Sequence, residues 1–121
     1  YLRVLQVSAC HVYLTYPFVL SWSCVEALAA GCLVVGSRTP PVQEVITHGE
    51  NGLLVDFFDT QALVEQVSQA LTQPARFSML RKAARERVVR DYDLQTVCLP
   101  AQLKLVNDLA AGRLNAARAP D

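Results

Sequence analysis

Ser21-Trp-Ser-Cys-Val-Glu26-Ala-Leu-Ala-Ala-Gly31-Cys-Leu-Val-Val-Gly36 decides the fold. From about Ser21 to Ala30 the segment is apolar on nearly every side, which predicts a helix packed on two fronts, with Gly31 as a fitting C-terminal stop. Cys32–Gly36 is then a continuous apolar run of the kind found in central parallel strands. One carboxylate, Glu26, interrupts residues otherwise suited to burial.

Working outward, His11-Val-Tyr-Leu-Thr-Tyr16 is short, β-branched and aromatic, ends at Pro17, and predicts a strand. On the other side, Ser37-Arg-Thr-Pro-Pro41 predicts a rigid turn, with Thr39 capping a short helix from Val42 to Thr47. Gly49-Glu-Asn-Gly52 is turn chemistry leading to a last strand, Leu53–Val55. The order β, α, β, α, β implies an α/β fold, a parallel sheet with right-handed crossovers and flanking helices.

From Asp59 the period changes. Leu63, Val67, Ala70 and Leu71 follow an Asp cap at helical spacing, and Phe77, Leu80, Ala84 and Val88 do so after Pro74. A final helical region is expected from Asp93, bent or broken around Pro100 and running to Gly112, with residues 113–121 a frayed tail. The organisation read here is one domain over residues 1–112 followed by that tail.

The composition narrows the function. Eleven Lys and Arg balance 11 Asp and Glu among 121 residues that are 52% hydrophobic, so no global charge surplus points to nucleic acid. No apolar run approaches the roughly 20 residues needed to cross a bilayer, and the start at Tyr1 has neither initiator Met nor signal layout, so the chain reads as an excerpt from a longer protein. Cys10, Cys24, Cys32 and Cys98 lack paired close spacing and read as inert thiols suited to a reducing cytoplasm. His11 has no companion at ligand spacing, and His48 reads as a helix-end residue. Arg76, Arg81, Lys82, Arg85, Arg87 and Arg90 spread around their helix, which describes a solvated face; docking on anionic lipid at the inner membrane is the alternative.

In open parallel sheets ligands settle beyond the C-terminal strand ends. Here that edge carries Tyr16 to Ser23 and Ser37 to Val42. A helix starting near Ser21 offers unpaired N–H groups and about half a positive charge, which suits a diphosphate. Glu26, about one turn in, has two readings: accepting hydrogen bonds from a ribose diol, or closing a capping box with Ser23.

Glu26-Ala-Leu-Ala-Ala-Gly-Cys-Leu-Val-Val-Gly36, then Glu44-Val-Ile, then Gly49-Glu-Asn-Gly-Leu-Leu-Val55, resembles the C-terminal donor-binding domain of retaining GT-B glycosyltransferases of the family 4, or group 1, type. The resemblance runs from about Tyr1 to Leu71 and implies a Rossmann-like half-domain followed by C-terminal helices. It implies that Glu26 binds the ribose of a UDP- or GDP-sugar, that backbone amides of Leu20, Ser21, Trp22 and Ser23 hold the diphosphate, and that Arg38 and Thr39 lie at the same donor site. The family usually has a second Glu near the transferred sugar, eight residues before this one; that position is Phe18, or Tyr16 if the loop holds a two-residue insertion. Neither is a carboxylate, so no catalytic residue is assigned, and the glycines common in the family's two ligand loops are also missing.

The resemblance further implies hexosyl transfer to an acceptor hydroxyl (a saccharide, lipid or small molecule) with retention, in a cleft shared with an N-terminal domain. No cofactor or metal is implied. A degenerate GT-B binding or regulatory module and a GT-B nucleotide-sugar epimerase are the competing readings. The isolated piece is expected to turn over nothing and to bind nucleotide weakly.

Overall fold

The computed structural model describes residues 1–16 and 19–113. The chain divides into two compact units, one covering Tyr1–Val89 and one beginning at Arg90. The first unit carries a three-stranded parallel sheet in the order β1-β2-β3, built from β1 (His11–Tyr13), β2 (Val34–Ser37) and β3 (Leu53–Val55). Tyr13, Gly36 and Leu54 stand in one row across it.

The helices of this unit are α1 (Leu2–Val7), α2 (Trp22–Ala29), α3 (Pro40–Gln43), α4 (Thr60–Thr72) and, after a 3-10 turn at Pro74–Phe77, α5 (Ser78–Tyr92), whose last turn passes into the second unit. Side chains leave the strands alternately, so neighbours feed opposite cores. Val34 and Leu54 join Tyr13, Cys24, Ala27, Leu28, Val42, Ile46, Ala84 and Val88 on one face. Leu33, Val35, Leu53 and Val55 join Ala70 and Phe77 on the other, with Cys10, Leu63, Val67 and Leu80 packed against them. Every β2 residue is buried, as expected of a central parallel strand. Burial pushes the Cys24 thiol up to about 12, leaving it an inert apolar group.

Several boundaries differ from the sequence reading. β1 stops at Tyr13 rather than Tyr16, because Thr15 bonds to a side chain in place of a strand: its N–H donates to Ser37 Oγ (3.1 Å), which in turn donates to the Thr15 carbonyl (3.0 Å). α3 begins at Pro40 rather than Val42, its two prolines filling first-turn positions that need no N–H donor, and it ends at Gln43. Thr39 is its N-cap residue, but its side chain makes no capping bond and lies 3.4 Å from Ser37 Oγ. His48 is not at a helix end: it forms a bridge with Gly52, and its Nδ1 accepts from the Leu54 N–H at 2.8 Å. α1 was not anticipated; only Leu5 of its six residues is buried.

The helix stop at Gly31 is as expected. With φ of 75°, Gly31 donates to the Leu28 carbonyl and Cys32 to that of Ala27, which closes the end of α2. Asp59 caps α4 by accepting from the Ala62 N–H at 2.9 Å. The loop between α3 and β3 is held by Asn51, only 5% exposed, whose side chain accepts from the Thr47 N–H (2.7 Å) and donates to the Val45 carbonyl (2.8 Å).

Three of the basic residues on α5 point inward to backbone oxygens: Arg81 donates to the Ala9 carbonyl, Arg85 to that of Ala29, and Arg87 to that of Glu44 at 3.0 Å. The Ala29 carbonyl belongs to the negative end of α2, where a cation is favourable. No described helix is long and apolar enough to cross a membrane.

In the second unit a π-helical turn, Leu94–Cys98, is capped by Asp93 and leads into α6 (Leu99–Ala110), with Pro100 in the first turn. The helical run expected here is present but unbroken: Cys98 and Leu99 both keep right-handed helical backbone angles, and what changes ahead of Pro100 is the winding, from π to α. Gly112, at φ 65°, ends α6, and Asp108 accepts from both Lys104 (2.6 Å) and Arg113 (2.9 Å). Residues 114–121 of the expected tail lie outside the described residues.

Candidate functional site at the C-terminal edge of the sheet

Parallel strands aim their C-terminal ends, and the helix N-termini that follow, at one edge. At this edge Ser37 ties the strand ends together through Thr15 and Thr39, and the buried Tyr13 reaches across with its hydroxyl to accept the Ser21 N–H at 2.8 Å. These contacts fix where α2 begins. Its N-cap is Ser21, whose Oγ accepts from the Ser23 N–H (3.3 Å) and hydroxyl (3.0 Å).

That assignment overturns the capping-box reading of Glu26. A box needs the carboxylate at the third helical position, which here is Cys24; Glu26 is fifth, one turn beyond reach of the cap. Glu26 is instead exposed and lines a groove of about 390 Å³ with Tyr1, Leu2, Leu5, Gln6, Ala29, Ala30 and Arg85. Partial desolvation, and then the neighbouring Glu26 carboxylate as hydrogen-bond partner and charge, raise the Tyr1 phenol above its ordinary range.

The N-terminus of α2 is open to solvent at Ser21 and Trp22, the latter 80% exposed. Of the four amides named from sequence, those of Ser21 and Ser23 already donate within the protein, to Tyr13 and Ser21. Leu20 is half-buried against the core. Arg38, just past β2, donates to the Leu54 carbonyl at 3.2 Å and pairs with Asp56 at 3.3 Å. Thr39 is buried. Phe18 lies outside the described residues, whereas Tyr16 is exposed and meets Phe57 edge-on at 5.7 Å.

The sequence reading missed Tyr1, Arg85 and Phe57. The first two approach Glu26 through helix packing that no local spacing announces; Phe57 follows β3, and its presence in Asp56-Phe-Phe-Asp59 was a usable signal. No group of three His, Cys, Asp or Glu among the described residues could hold a metal ion. Asp91-Tyr-Asp93 is an Asp-x-Asp spacing, yet Asp93 accepts from the Thr96 N–H and hydroxyl, which lower its pKa, and Asp91 pairs with Arg90.

Residues 12–87, more than half of the chain, match the family described as glycosyl transferases group 1. The chain belongs to that family. Over 67 residues it is 33% identical to the N-acetyl-alpha-D-glucosaminyl L-malate synthase of Bacillus anthracis, covering 55% of this chain and 18% of that enzyme. Over 72 residues it is 35% identical to a glycogen synthase of Mycobacterium tuberculosis, covering 60% and 17%. The chain thus spans under a fifth of the length of the curated relatives it matches. Its fold follows the Anabaena HepE crystal structure in complex with UDP-glucose with a TM-score of 0.78 at 18% identity, over 87% of this chain and 29% of that one. The sheet and its helices are those of a GT-B glycosyltransferase C-terminal domain.

Proposed function

We propose that this chain is the donor-binding part of a retaining glycosyltransferase, moving a hexosyl group from a UDP- or GDP-linked sugar to an acceptor hydroxyl in the cytoplasm. The observation that carries the reading is the exposed start of α2 with an exposed carboxylate, Glu26, one turn further along the same helix. The helix start supplies amides and a partial positive charge for the diphosphate. Glu26 accepts from the ribose diol, and the donor is a substrate, not a resident cofactor. A named relative that makes a glucosaminyl product, and a fold neighbour solved with UDP-glucose, support a nucleotide-sugar donor. The acceptor side, a saccharide, lipid or small molecule, belongs to an N-terminal domain of the same enzyme.

A non-catalytic binding or regulatory module is the second reading, favoured by the Ser21 and Ser23 amides being already engaged and by an aromatic ring at Tyr16 where a carboxylate is usual. Trp22 is the chain's one tryptophan and stands at the helix start, so its fluorescence reports on the site. Titration with UDP, GDP and ADP is expected to change that emission saturably for UDP or GDP. Emission indifferent to all three rejects the donor site; binding by the whole enzyme without transfer from UDP- or GDP-hexoses selects the module.

A further inference from the structure

Tyr16 follows β1 and Phe57 follows β3, and the central strand β2 lies between them. Their rings nevertheless meet, with centroids 5.7 Å apart at 87°, and Phe57 meets Phe58 at 4.9 Å and 79°. The three rings therefore form a continuous aromatic ledge reaching past the end of β2, on the edge where α2 begins. Packing alone does not account for it: Tyr16 is 69% exposed and Phe58 is 84% exposed, whereas aromatic rings placed for stability bury most of their 150–250 Å². Beside the ledge, Asp56 pairs with Arg38 but is 75% exposed, which leaves carboxylate lone pairs for other donors.

We infer that this ledge is the platform for the transferred sugar: the C–H face of the hexosyl ring packs on the exposed face of Tyr16, which Phe57 buttresses edge-on, and Asp56 accepts from a hydroxyl at the ring's rim. The inference rests on the donor reading above and adds which residues select the sugar. A hexopyranose has an apolar face of ring hydrogens and a polar rim, which matches apolar rings bordered by a carboxylate. The sugar is joined to the diphosphate, and Tyr16 stands five residues before the α2 cap in the loop that delivers that cap, so both parts of one donor meet the same loop. Recognition by apolar contact stands in for the carboxylate that the Tyr16 or Phe18 position lacks.

Two affinities measured on each variant test this. Calorimetric or saturation-transfer titrations of the purified protein with UDP and UDP-glucose, and with GDP and GDP-mannose, give the gain in affinity due to the sugar. Tyr16→Leu and Phe57→Leu are expected to cut that gain about three- to tenfold while leaving affinity for the bare diphosphate unchanged, and Tyr16→Phe to retain it. Circular dichroism establishes that each variant is folded. An unchanged gain in the folded leucine variants, or an equal loss for both ligands, overturns the ledge as a sugar platform and leaves the nucleotide site standing. A wild-type protein that binds none of the four ligands overturns both readings.

Discussion

Replacing Glu26 by alanine separates the two roles that its spacing allowed. Ser21 caps α2 and Glu26 lies beyond the capping positions, so the carboxylate contributes little to the fold: as an exposed residue its loss is expected to shift stability by no more than about 0.5 kcal/mol. Two hydrogen bonds from a ribose diol to a charged acceptor are worth far more to a ligand. Counting only one of the two, at about 1.5–3 kcal/mol for a hydrogen bond to a charged group, UDP or GDP affinity should fall by at least roughly ten- to 150-fold. Ser21→Ala gives the opposite pattern. It removes the cap from an eight-residue helix whose Cys24, Ala27 and Leu28 are fully buried, and should cost about 1 kcal/mol, or roughly 4 °C in Tm. It also frees the Ser23 amide, so phosphate affinity should hold or improve. Thermal melts and isothermal titration on both variants and wild type supply the numbers. A Glu26→Ala protein that melts several degrees lower yet binds nucleotide like wild type would refute the reasoning.

Gly52→Ala places a methyl group 2.8 Å from Ile46 Cγ2 and 3.3 Å from the Val34 carbonyl, in a fully packed region, and should destabilise the protein by about 1–3 kcal/mol; urea melts that superimpose on wild type would contradict this. Lys104 and then Arg113 hold the Asp108 carboxyl below its ordinary value of 3.8. Its ionised form therefore supports the end of α6 above that value, and the support is lost as pH falls through the lower folded value. Amide protection at Gly112 and Arg113 should decay on acidification below about pH 4 in wild type and be pH-independent in Asp108→Asn, as followed by NMR exchange.

The sheet and its cover helices were legible in the sequence because their signals are long or redundant. Cys32–Gly36 could only be buried, Gly31 could only end a helix, and the spacing of Leu63, Val67 and Ala70 states which face α4 turns inward. Short elements were not legible. α1 has six residues and one buried side chain, too few to mark a period, and β1 loses three expected residues because Ser37 stands in for a strand partner, a bond between residues 22 apart. The site was read in part. The helix start and Glu26 follow from local pattern, but choosing Ser21 over Ser23 as the cap depended on Tyr13 taking the Ser21 amide, and the ledge depended on Tyr16 and Phe57 meeting around a strand that separates them. Contacts set by the fold leave no periodic trace.

Leu54 has a bearing on how this molecule behaves in company. It is the middle residue of β3, and its N–H is taken by the His48 ring and its carbonyl by the Arg38 guanidinium. Both hydrogen-bonding groups that a strand at the rim of a sheet would offer to a stranger are thus already satisfied by side chains of its own chain. At Leu54 this flank of the sheet is thereby closed to fibre-like propagation.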